Sequence, residues 1–565
     1  MHPRKPKGMP TSLDYPQDAT IGDILAGSAR RYPRRVALRD GEDTLTYAEL
    51  HDRAHRVAQG LRAHGIAPGD VVALHQPNSL WFTVTYYGVL LAGATVTPVN
   101  PALPPAALRE QLAEVATRAV LTHPATEPAL RAAGTDGLVL VAAVPPTRAA
   151  PAPAGADGPP PGTTPFEDLL TAPDTPLPAV SPEALAHLSF TGGTTGRSKA
   201  VMVRHRHVVA NVVQFTCWRT GALPARDEHG GVHLEAVPSA RTATMTGPGS
   251  GTGIAVAPLF HAMGLISQTN NVLAGQTAIL TGGRFDPVRY LSLVAERHVT
   301  HVTGSPALLH ALIAASDGRC YPEVVTVNSG AAPIDTTTSA ALARLFPNAS
   351  VVEGYGLTEA TMGLVTGLVD PEDPVPVGSA GLPVFDTEIE IRDPVDTGRV
   401  LPAGETGELW ARGPQVTSGY LGHPELTAQQ YVDGWLRTGD LAHQDERGHV
   451  FIVGRAKDML IYKGYNVYPG RLEELLAAHP DVDQVSVIGA PSPSVGEIPV
   501  AYVVPRPSAV PGPDLARRLM DHVAERVAPY QKVREIHFVG DLPTSAAGKI
   551  LKTELRRLHR SGDAA

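Results

Sequence analysis

Residues 190–200 read Phe-Thr-Gly-Gly-Thr-Thr-Gly-Arg-Ser-Lys-Ala, so that glycines and threonines precede a lysine. Glycine permits the positive φ values and the close backbone approach that an anion-binding loop requires. Successive N–H groups of such a loop form a concavity for anions, and the lysine adds positive charge. The stretch is not a Walker A loop, in which the lysine directly follows the last glycine, because Arg197 and Ser198 precede Lys199. It predicts a polyphosphate-binding loop.

The composition is that of a folded protein with more than one domain. The chain has 565 residues, 43% of them hydrophobic and 18% charged, and its net charge is −9. This length exceeds one ordinary core, and the acidic excess argues against nucleic acid as a partner. The cysteines Cys217 and Cys320 are too few for a disulfide framework or a cysteine-rich zinc site. The chain shows neither a signal peptide nor an uncharged run of ~18 residues, so we expect a cytoplasmic protein without a membrane span.

Hydrophobic spacing predicts α/β layers followed by a smaller unit. Apolar residues recur at helical spacing over 21–29 and 47–61, and a short buried strand is expected at 71–74. This alternation of helices and strands continues to about residue 450 and favours α/β layers. The pattern changes near 453–457, and the strands expected after it at 484–488 and 500–504 indicate a compact α+β unit. We therefore expect a large domain over 1–454 and a small domain over 455–565.

Residues 219–253 form the segment that is hardest to place. They carry several acidic residues, and His229 and His233 stand at i, i+4, a spacing that is conceivable for a metal pair. Glycines then alternate from 247 to 253, but they neither follow a strand nor open a helix as a dinucleotide fingerprint would. We expect a flexible surface excursion here.

Further motifs resemble, in order and over nearly the whole chain, the adenylate-forming superfamily of acyl-CoA synthetases, luciferases and peptide-synthetase adenylation domains. Residues 190–200 are similar to the phosphate-loop signature of that family. The other matching motifs are 258–261 (PLFH), 328–333 (NSGAAP), 353–359 (EGYGLTE), 435–440 (WLRTGD), 454–458 (GRAKD), 463–466 (KGYN) and 543–549 (PTSAAGK). The chain looks most like fatty-acyl or 4-coumarate-like CoA ligases. The resemblance implies a large N-terminal multi-sheet α/β domain and a small mobile α+β C-terminal domain.

Two positions of the phosphate loop depart from the family pattern. Ser198 stands where proline is usual, and Ala200 stands where glycine is usual. Proline stiffens the turn before the lysine. We therefore expect a loop that is more mobile and less well organised for pyrophosphate.

The resemblance implies a reaction in which a carboxylate attacks the α-phosphate of ATP, pyrophosphate leaves and an acyl-adenylate forms. Such chemistry is mainly positioning and charge stabilisation. Glu359 is implied as the Mg²⁺ ligand, Thr358 as the contact to the α-phosphate and Tyr355 as the ring stacked on adenine. Asp440 is implied to accept the ribose hydroxyls and Arg455 to donate to the ribose. The residues implied to bind the β- and γ-phosphates are Thr191, Gly192, Gly193, Thr194, Thr195, Gly196 and Lys199.

The family pattern also implies roles for the C-terminal residues. Lys549 is implied to bridge the substrate carboxylate and the transferring phosphoryl group, a role that suits a compact point charge. Lys457 matches the hinge about which the small domain turns. The second pose then presents Gly464 and its neighbours to the acceptor. His261 matches a position near the acyl pocket and the thiol tunnel, where we expect positioning or gating rather than proton transfer.

The expected substrate is a small-molecule carboxylic acid. Its pocket is expected to be walled by segments 208–217, 262–264, 330–332 (Gly330, Ala331, Ala332) and 354–358, in which small residues are frequent. We see no lysine, arginine or aspartate there that would mark an amino-acid substrate. Aryl, cinnamoyl-like and medium-chain acids are expected, in that order.

Coenzyme A is the expected acceptor, because residues 463–467 are similar to those of CoA ligases. A carrier-protein thiol, an amine and ATP-dependent activation of nitrite for diazotisation stay open as alternatives. A non-catalytic nucleotide-binding module is a further alternative, against which the retained Lys199, Glu359, Asp440 and Lys549 argue. The expected cofactors are ATP and Mg²⁺, and the chain is expected to be a monomer or homodimer.

Overall fold

Helices and strands alternate through most of the chain. The computed structural model describes residues 4–153, 162–191, 199–240, 245–282, 285–330, 334, 336–369, 374–463, 465–492, 495–544 and 550–561. The helices are α1 (Ile21–Arg31), α2 (Tyr47–Ala63), α3 (Leu80–Leu91), α4 (Pro105–Glu114), α5 (Glu127–Ala133), α6 (Phe166–Leu170), α7 (His205–Thr220), α8 (Ala262–Ala274), α9 (Pro287–Glu296), α10 (Pro306–Ala315), α11 (Thr336–Leu345), α12 (Pro424–Gln430), α13 (Pro469–Ala477), α14 (Pro513–Ala524) and α15 (Lys552–Ser561). Across those ranges, we find no helix with both the length and the apolarity needed to span a bilayer.

The strands form several sheets. They are β1 (Val36–Asp40), β2 (Asp43–Thr46), β3 (Val71–His75), β4 (Thr95–Pro98), β5 (Thr117–Thr122), β6 (Leu140–Ala143), β7 (Thr164–Pro165), β8 (Leu185–Thr191), β9 (Lys199–Arg204), β10 (Ala222–Arg226), β11 (Val232–Ala236), β12 (Thr252–Ala255), β13 (Thr277–Leu280), β14 (His301–Gly304), β15 (Thr326–Ser329), β16 (Ser350–Tyr355), β17 (Val365–Thr366), β18 (Leu382–Pro383), β19 (Glu388–Arg392), β20 (Gly407–Arg412), β21 (Tyr431–Val432), β22 (Trp435–Gln444), β23 (Val450–Arg455), β24 (Leu460–Tyr462), β25 (Tyr465–Val467), β26 (Val482–Ser492), β27 (Gly496–Pro505) and β28 (Glu535–Phe538).

Local sequence signals set the first two helices where the apolar spacing predicted them. The Thr46 side chain accepts from the Glu49 N–H, and the Glu49 carboxylate accepts from the Thr46 N–H, which is a capping box at the start of α2. Thr20 and Asp23 form the same box at α1. The buried positions of both helices lie on one face, so each helix packs against the core.

A nine-stranded sheet carries the parallel strands on which the site is built. Its order is β18-β17-β16-β15-β14-β12-β13-β1-β2, and the central strands run parallel to their neighbours. Helices α9, α10 and α11 cover one face, where Val302 and Val327 are buried. Residues of α7 and α8 pack on the core of the other face. The predicted α/β layers are confirmed, since a parallel sheet is normally covered on both faces.

A seven-stranded sheet of order β7-β6-β5-β3-β4-β8-β9 lies beside the first one. Its strands β8 and β9 form an antiparallel hairpin in which Thr191 is opposite Lys199. The predicted phosphate loop, residues 192–198, connects these two positions and lies outside the described residues. The two ends of the loop are therefore held together by strand pairing.

Two smaller sheets follow. One has the order β19-β20-β22-β21, with β23 paired to β22, and the other has the order β25-β24-β27-β26, with β28 paired to β27. The last sheet has hydrophobic cores of its own, one against α13 and α14 and one against α15. The chain thus forms a large N-terminal unit and a smaller α+β C-terminal unit. The division at 454/455 falls at the end of β23 and stays a prediction.

Residues 222–236 form a regular β-hairpin at the protein surface, anchored by a few buried residues, so this part of the expected flexible surface excursion is an ordered element. Strands β10 and β11 pair antiparallel, and Val232 and Leu234 are buried next to α1. Arg30 of α1 also bonds Asp227 in the turn, with Nε 2.7 Å from Oδ2. The hairpin was not predicted because only two alternating apolar residues, among charged ones, mark it in the sequence.

The remainder of the same segment enters the central sheet. Strand β12 pairs with both β13 and β14, and the alternating glycines lead into it. His229 lies in the hairpin turn and His233 in β11, with their Nε2 atoms 3.7 Å from Glu228 and Glu235, respectively. These histidines face neighbouring carboxylates of the hairpin.

The contact between α1 and the hairpin can be tested at Gly27. A Cβ on Gly27 would lie 2.1 Å from the Val232 carbonyl oxygen, a backbone atom that cannot move alone. We expect Gly27→Ala to lower the free energy of unfolding by about 1–3 kcal/mol through overpacking, although the same change in an unpacked helix is stabilising. Urea unfolding measures it. The control is Gly22→Ala, whose Cβ meets only the end of the Leu91 side chain; equal midpoints for both variants would contradict the packing.

Candidate active site

The carboxyl ends of the parallel strands form an open edge. Strand β14 ends at Gly304, β15 at Ser329 and β16 at Tyr355. The Gly330 N–H donates to the Gly304 carbonyl at 3.2 Å, and all residues from 354 to 359 are partly exposed. Ligands of open α/β sheets bind outside the carboxyl ends of the strands. This edge is therefore the place where a ligand site is expected.

A tyrosine, an aspartate and an arginine from two sheets meet beside this edge. Asp440 of β22 pairs in register with Arg455 of β23, and Arg455 Nε lies 3.5 Å from Asp440 Oδ1. The Tyr355 hydroxyl donates a 2.6 Å hydrogen bond to Asp440 Oδ2. Burial raises the pKa of Tyr355 well above its ordinary value, and the Asp440 charge adds to this, so the hydroxyl stays a donor. The Asp440 carboxylate is thus held in one orientation.

A second set of side chains links the lysine that follows the glycine-rich loop to the motif that follows β16. Glu359 lies in a 3₁₀ turn, Thr358–Ala360, and Tyr420 Oη donates to Glu359 Oε1 at 2.8 Å. Lys199 Nζ lies 5.5 Å from the centroid of the Tyr420 ring, within range of a cation–π contact. The Leu421 N–H donates to the Ala200 carbonyl at 2.9 Å, which ties β9 to this segment. The predicted Lys199 and Glu359 are therefore brought to the same tyrosine.

The electrostatics of Glu359 are set by two opposing effects. Burial raises the pKa of the Glu359 carboxyl, whereas the hydrogen bond from Tyr420 lowers it. Burial is the larger cause of the raised pKa of Tyr420, and the charge of the same carboxylate raises it further. The phenol therefore stays protonated. The pair is consistent with an anionic Glu359 that a cation would stabilise further.

The residues present fit a Mg²⁺ ion held partly by phosphate oxygens. Within the described ranges, no group of three or more histidine, cysteine, aspartate or glutamate side chains is arranged to hold a metal. Mg²⁺ in nucleotide sites is usually bound by one or two carboxylates, with phosphates and waters completing its shell. Glu359 supplies such a carboxylate.

The acid is predicted to bind between α7, α8 and the residues after the strands; we call this predicted region the α7–α8 pocket. A Cβ on Gly330 would lie 3.6 Å from Met263 Sδ, and Ser267 Oγ lies 3.9 Å from Met362 Sδ. Phe215 of α7 packs where Gly363 has no side chain, since a Cβ there would lie 2.2 Å from Phe215 Cζ. The segments predicted to wall the acid pocket therefore face one another.

His261 lies at the start of α8 and caps it. Its Nδ1 accepts from the Met263 N–H at 3.4 Å, and its carbonyl accepts from the Leu265 N–H at 2.9 Å. The side chain is partly exposed at the mouth of the α7–α8 pocket. This geometry accounts for a histidine as a helix cap, and its predicted gating role stays a prediction.

Several predicted site residues have no structural description. They lie outside the described residues and are Gly192, Gly193, Thr194, Thr195, Gly196, Ala331, Ala332, Gly464 and Lys549. Lys457 is described and exposed, and it lies in a 3₁₀ turn, Ala456–Asp458. Partial burial and the nearby Arg455 lower the pKa of Lys457 to about 8.

Two residues close to predicted site residues were not singled out by sequence reasoning. Tyr420 reaches Glu359 from 61 positions away, and its surroundings in the sequence resemble an ordinary turn. Arg219 is in the last turn of α7, two residues beyond the segment expected to wall the pocket. The available signal for Arg219 was an arginine near the end of a helix whose other residues are almost all buried.

The fold and the site define an adenylate-forming ligase. A family model described as "AMP-binding enzyme" matches residues 25–421, and a model described as "AMP-binding enzyme C-terminal domain" matches residues 471–549. The chain belongs to the AMP-binding enzyme family. The predicted AMP-forming ligase activity agrees with this membership.

Named relatives and solved structures are similar over the whole chain. "4-coumarate--CoA ligase-like 4" of Oryza sativa subsp. japonica is 33% identical over 97% of this chain and 95% of its own length. "Feruloyl-CoA synthase" of Amycolatopsis sp is 34% identical over 95% of this chain and 98% of its own length. ATP-bound MatB from Rhodopseudomonas palustris has a TM-score of 0.80 at 26% identity, covering 95% of this chain and 99% of that one. The anthranilate CoA ligase AuaEII, with anthranoyl-AMP, has a TM-score of 0.83 at 23% identity over 99% and 100%, which shows the fold alone.

Tyr420→Phe tests the electrostatic balance at Glu359. The substitution removes the hydrogen bond that lowers the pKa of Glu359, so this pKa rises and the carboxylate is protonated at higher pH. Hydrogen bonds to charged groups contribute about 1.5–3 kcal/mol, so the acidic limb of kcat/KM for ATP is expected to move up by about 1–2 pH units. Pyrophosphate release measured against pH checks this.

Tyr431→Phe is the matched control for this variant. Tyr431 packs edge-on against Tyr420, with ring centroids 6.3 Å apart, but its hydroxyl bonds Thr417. We expect its acidic limb to stay near that of the parent. An unchanged acidic limb in Tyr420→Phe would refute the role of this hydroxyl.

Proposed function

We propose that this enzyme activates an aromatic carboxylic acid as its acyl-adenylate and transfers the acyl group to coenzyme A. The observation that carries the proposal is the meeting of Tyr355, Asp440 and Arg455 beside Glu359 at the carboxyl edge of the sheet. The names of the relatives, 4-coumarate–CoA ligase-like and feruloyl-CoA synthase, support an aryl or cinnamoyl-like acid. A medium-chain acid is the second candidate.

In the proposed complex the nucleoside lies against the Tyr355–Asp440–Arg455 group. The Asp440 carboxylate accepts the ribose hydroxyls, and the half-exposed Arg455 guanidinium donates to the ribose. The Tyr355 ring, held by its hydroxyl, stacks on the adenine. The fixed orientation of Asp440 favours this role, because a preorganised acceptor needs little rearrangement when the ribose binds.

The triphosphate extends from this group toward the hairpin of β8 and β9. Thr191, the loop after it and Lys199 bind the β- and γ-phosphates, and Thr358 contacts the α-phosphate. Glu359 holds Mg²⁺, which supplies charge neutralisation when bound. Positive charge and donors around the phosphates stabilise the charge that develops during transfer. Gly330 leaves space for the acid carboxylate between α8 and the strand ends.

Coenzyme A is the proposed acceptor. The named relatives are CoA ligases, which favours a thiol over an amine or nitrite. The sequence shows no basic docking surface for an acidic carrier protein.

The proposal is tested by measuring ATP-dependent pyrophosphate release with a panel of cinnamates, benzoates and medium-chain acids. We expect release with aromatic acids, and thioester formation when coenzyme A is added. Parallel reactions contain an amine or nitrite in place of coenzyme A. Pyrophosphate release that does not depend on coenzyme A as the acceptor would indicate that the second step uses another acceptor. No pyrophosphate release with any acid would support a non-catalytic module.

Lys549→Ala tests the adenylation step. Because the ammonium group is proposed to bridge the carboxylate and the phosphoryl group, adenylation is expected to slow by about 10²–10³. Pyrophosphate exchange measures this step. The control is Lys552→Ala, since Lys552 instead pairs with Glu473 at 2.7 Å. Near-normal exchange in Lys549→Ala would refute the assignment.

Lys457→Pro tests the proposed hinge. Proline limits φ, whereas the hydrogen bonds that close the turn at 456–458, from the Met459 N–H to the Arg455 and Ala456 carbonyls, do not use the Lys457 N–H. Pyrophosphate exchange should therefore stay near that of the parent, whereas thioester formation should fall strongly. Lys457→Ala, which keeps free φ rotation, is the control. An equal loss in both steps would rule out a hinge function.

A further inference from the structure

An arginine at the end of α7 has no counter-charge in the described part of the chain. Arg219 is in the last turn of α7, and its Cζ lies 5.4 Å from the centroid of the Phe215 ring, the ring that packs against Gly363. Its Nε is buried and has no hydrogen-bond partner. The residue as a whole is partly exposed.

The charge of Arg219 is not offset within the described part of the chain. Burial alone lowers the pKa of Arg219 to about 10, so the guanidinium is still charged at neutral pH, and no described carboxylate pairs with it. Its nearby titratable neighbour is His301, whose pKa is lowered to about 4 by burial and by Arg219. That imidazole is neutral and is no counter-ion. An enclosed charge without a partner is strongly unfavourable, which indicates that a ligand supplies the partner.

Other polar groups around the pocket also lack partners. The Asn270 Nδ2 of α8 and the Asn328 Oδ1 of β15 are buried without a hydrogen bond. Met263, Ser267 and Asn270 are partly exposed, and their spacing places them on one face of α8. The pocket is therefore apolar near Met263 and polar farther along α8.

Strand β14 gives the direction and the approximate length of the predicted pocket. His301 and Thr303 of β14 are partly exposed, whereas Val302 between them is buried in the core of the opposite face. His301 is the first residue of β14, and Gly304 at the carboxyl end of the strand lies next to Gly330. The strand spans about 10 Å. Arg219, whose charge acts on His301, is therefore remote from the proposed site of adenylation.

We infer that the acids activated by this enzyme carry a second carboxylate at the end remote from the adenylated one, and that Arg219 binds it. This inference rests on the proposed function and specifies its substrate class. A guanidinium pairs with a carboxylate through two parallel hydrogen bonds, and the unpartnered Nδ2 of Asn270 is a further donor on α8. The span of about 10 Å along β14 favours an aromatic ring with a short chain, as in a carboxy-substituted cinnamate, over a benzene dicarboxylate.

The test compares cinnamate with 3-carboxycinnamate and 4-carboxycinnamate as substrates for pyrophosphate release. We expect kcat/KM of the parent to be about 10–100-fold higher for at least one carboxycinnamate. Arg219→Met removes the charge at similar volume and should abolish this preference, whereas Arg219→Lys should retain part of it. Arg206→Met is the control on the same helix, since Arg206 is exposed and pairs with Glu183 at 2.8 Å. It should keep the full preference.

Direct binding separates this inference from the proposed reaction. Calorimetric titration with each carboxycinnamate, in the absence of ATP, should give tighter binding to the parent than to Arg219→Met. Thermal unfolding of Arg219→Met should show no loss of stability, because an uncompensated charge is removed. Equal kcat/KM and equal binding for cinnamate and the carboxycinnamates in the parent would overturn the inference while leaving the proposed function intact. Tighter binding of the carboxycinnamates, without pyrophosphate release from any acid, would support the role of Arg219 and contradict the proposed reaction.

Discussion

The hydrogen bond from the Tyr355 hydroxyl to Asp440 joins the two sheets on which the site is built. Tyr355 ends a strand of the nine-stranded sheet, and Asp440 lies in the five-stranded sheet, paired with Arg455. Hydrogen bonds to charged groups contribute about 1.5–3 kcal/mol, and this one is enclosed. It aligns the motif after β16 with the strand that leads into the C-terminal unit, and the geometry proposed for the nucleotide depends on that alignment.

Charge compensation differs between the two parts of the site. In the proposed nucleotide region, Asp440 has Arg455 and Tyr355 as partners, and Glu359 has Tyr420. These groups are satisfied before a ligand binds, which favours a preorganised site. In the α7–α8 pocket the guanidinium of Arg219 has no such partner in the described structure. An enclosed charge without a partner is unfavourable. A ligand bound near Arg219 therefore has to supply a counter-charge, whereas one bound in the nucleotide region does not.

Local signals predicted much of the fold, and long-range contacts explain what was missed. Capping residues and apolar spacing placed α1 and α2, because both act within a few residues of the helix. The hairpin at 222–236 was missed because Val232 and Leu234 are its main apolar signal, and their burial depends on α1, which is distant in the sequence. Arg219 was passed over for the same reason, since its neighbours in the sequence do not show which side of α7 borders a cavity.

The amino-acid sequence by itself determined the α/β class and the order of the motifs, and it indicated the residues proposed to bind phosphate, ribose and a metal. These properties depend on residue types and short spacings, which are read along the chain. Only the tertiary structure decided that Tyr420 lies between Lys199 and Glu359, and that the Arg219 guanidinium lies over the Phe215 ring. Contacts of this kind depend on how separate sheets and helices pack, and packing brings together side chains whose separation in the sequence carries no signal.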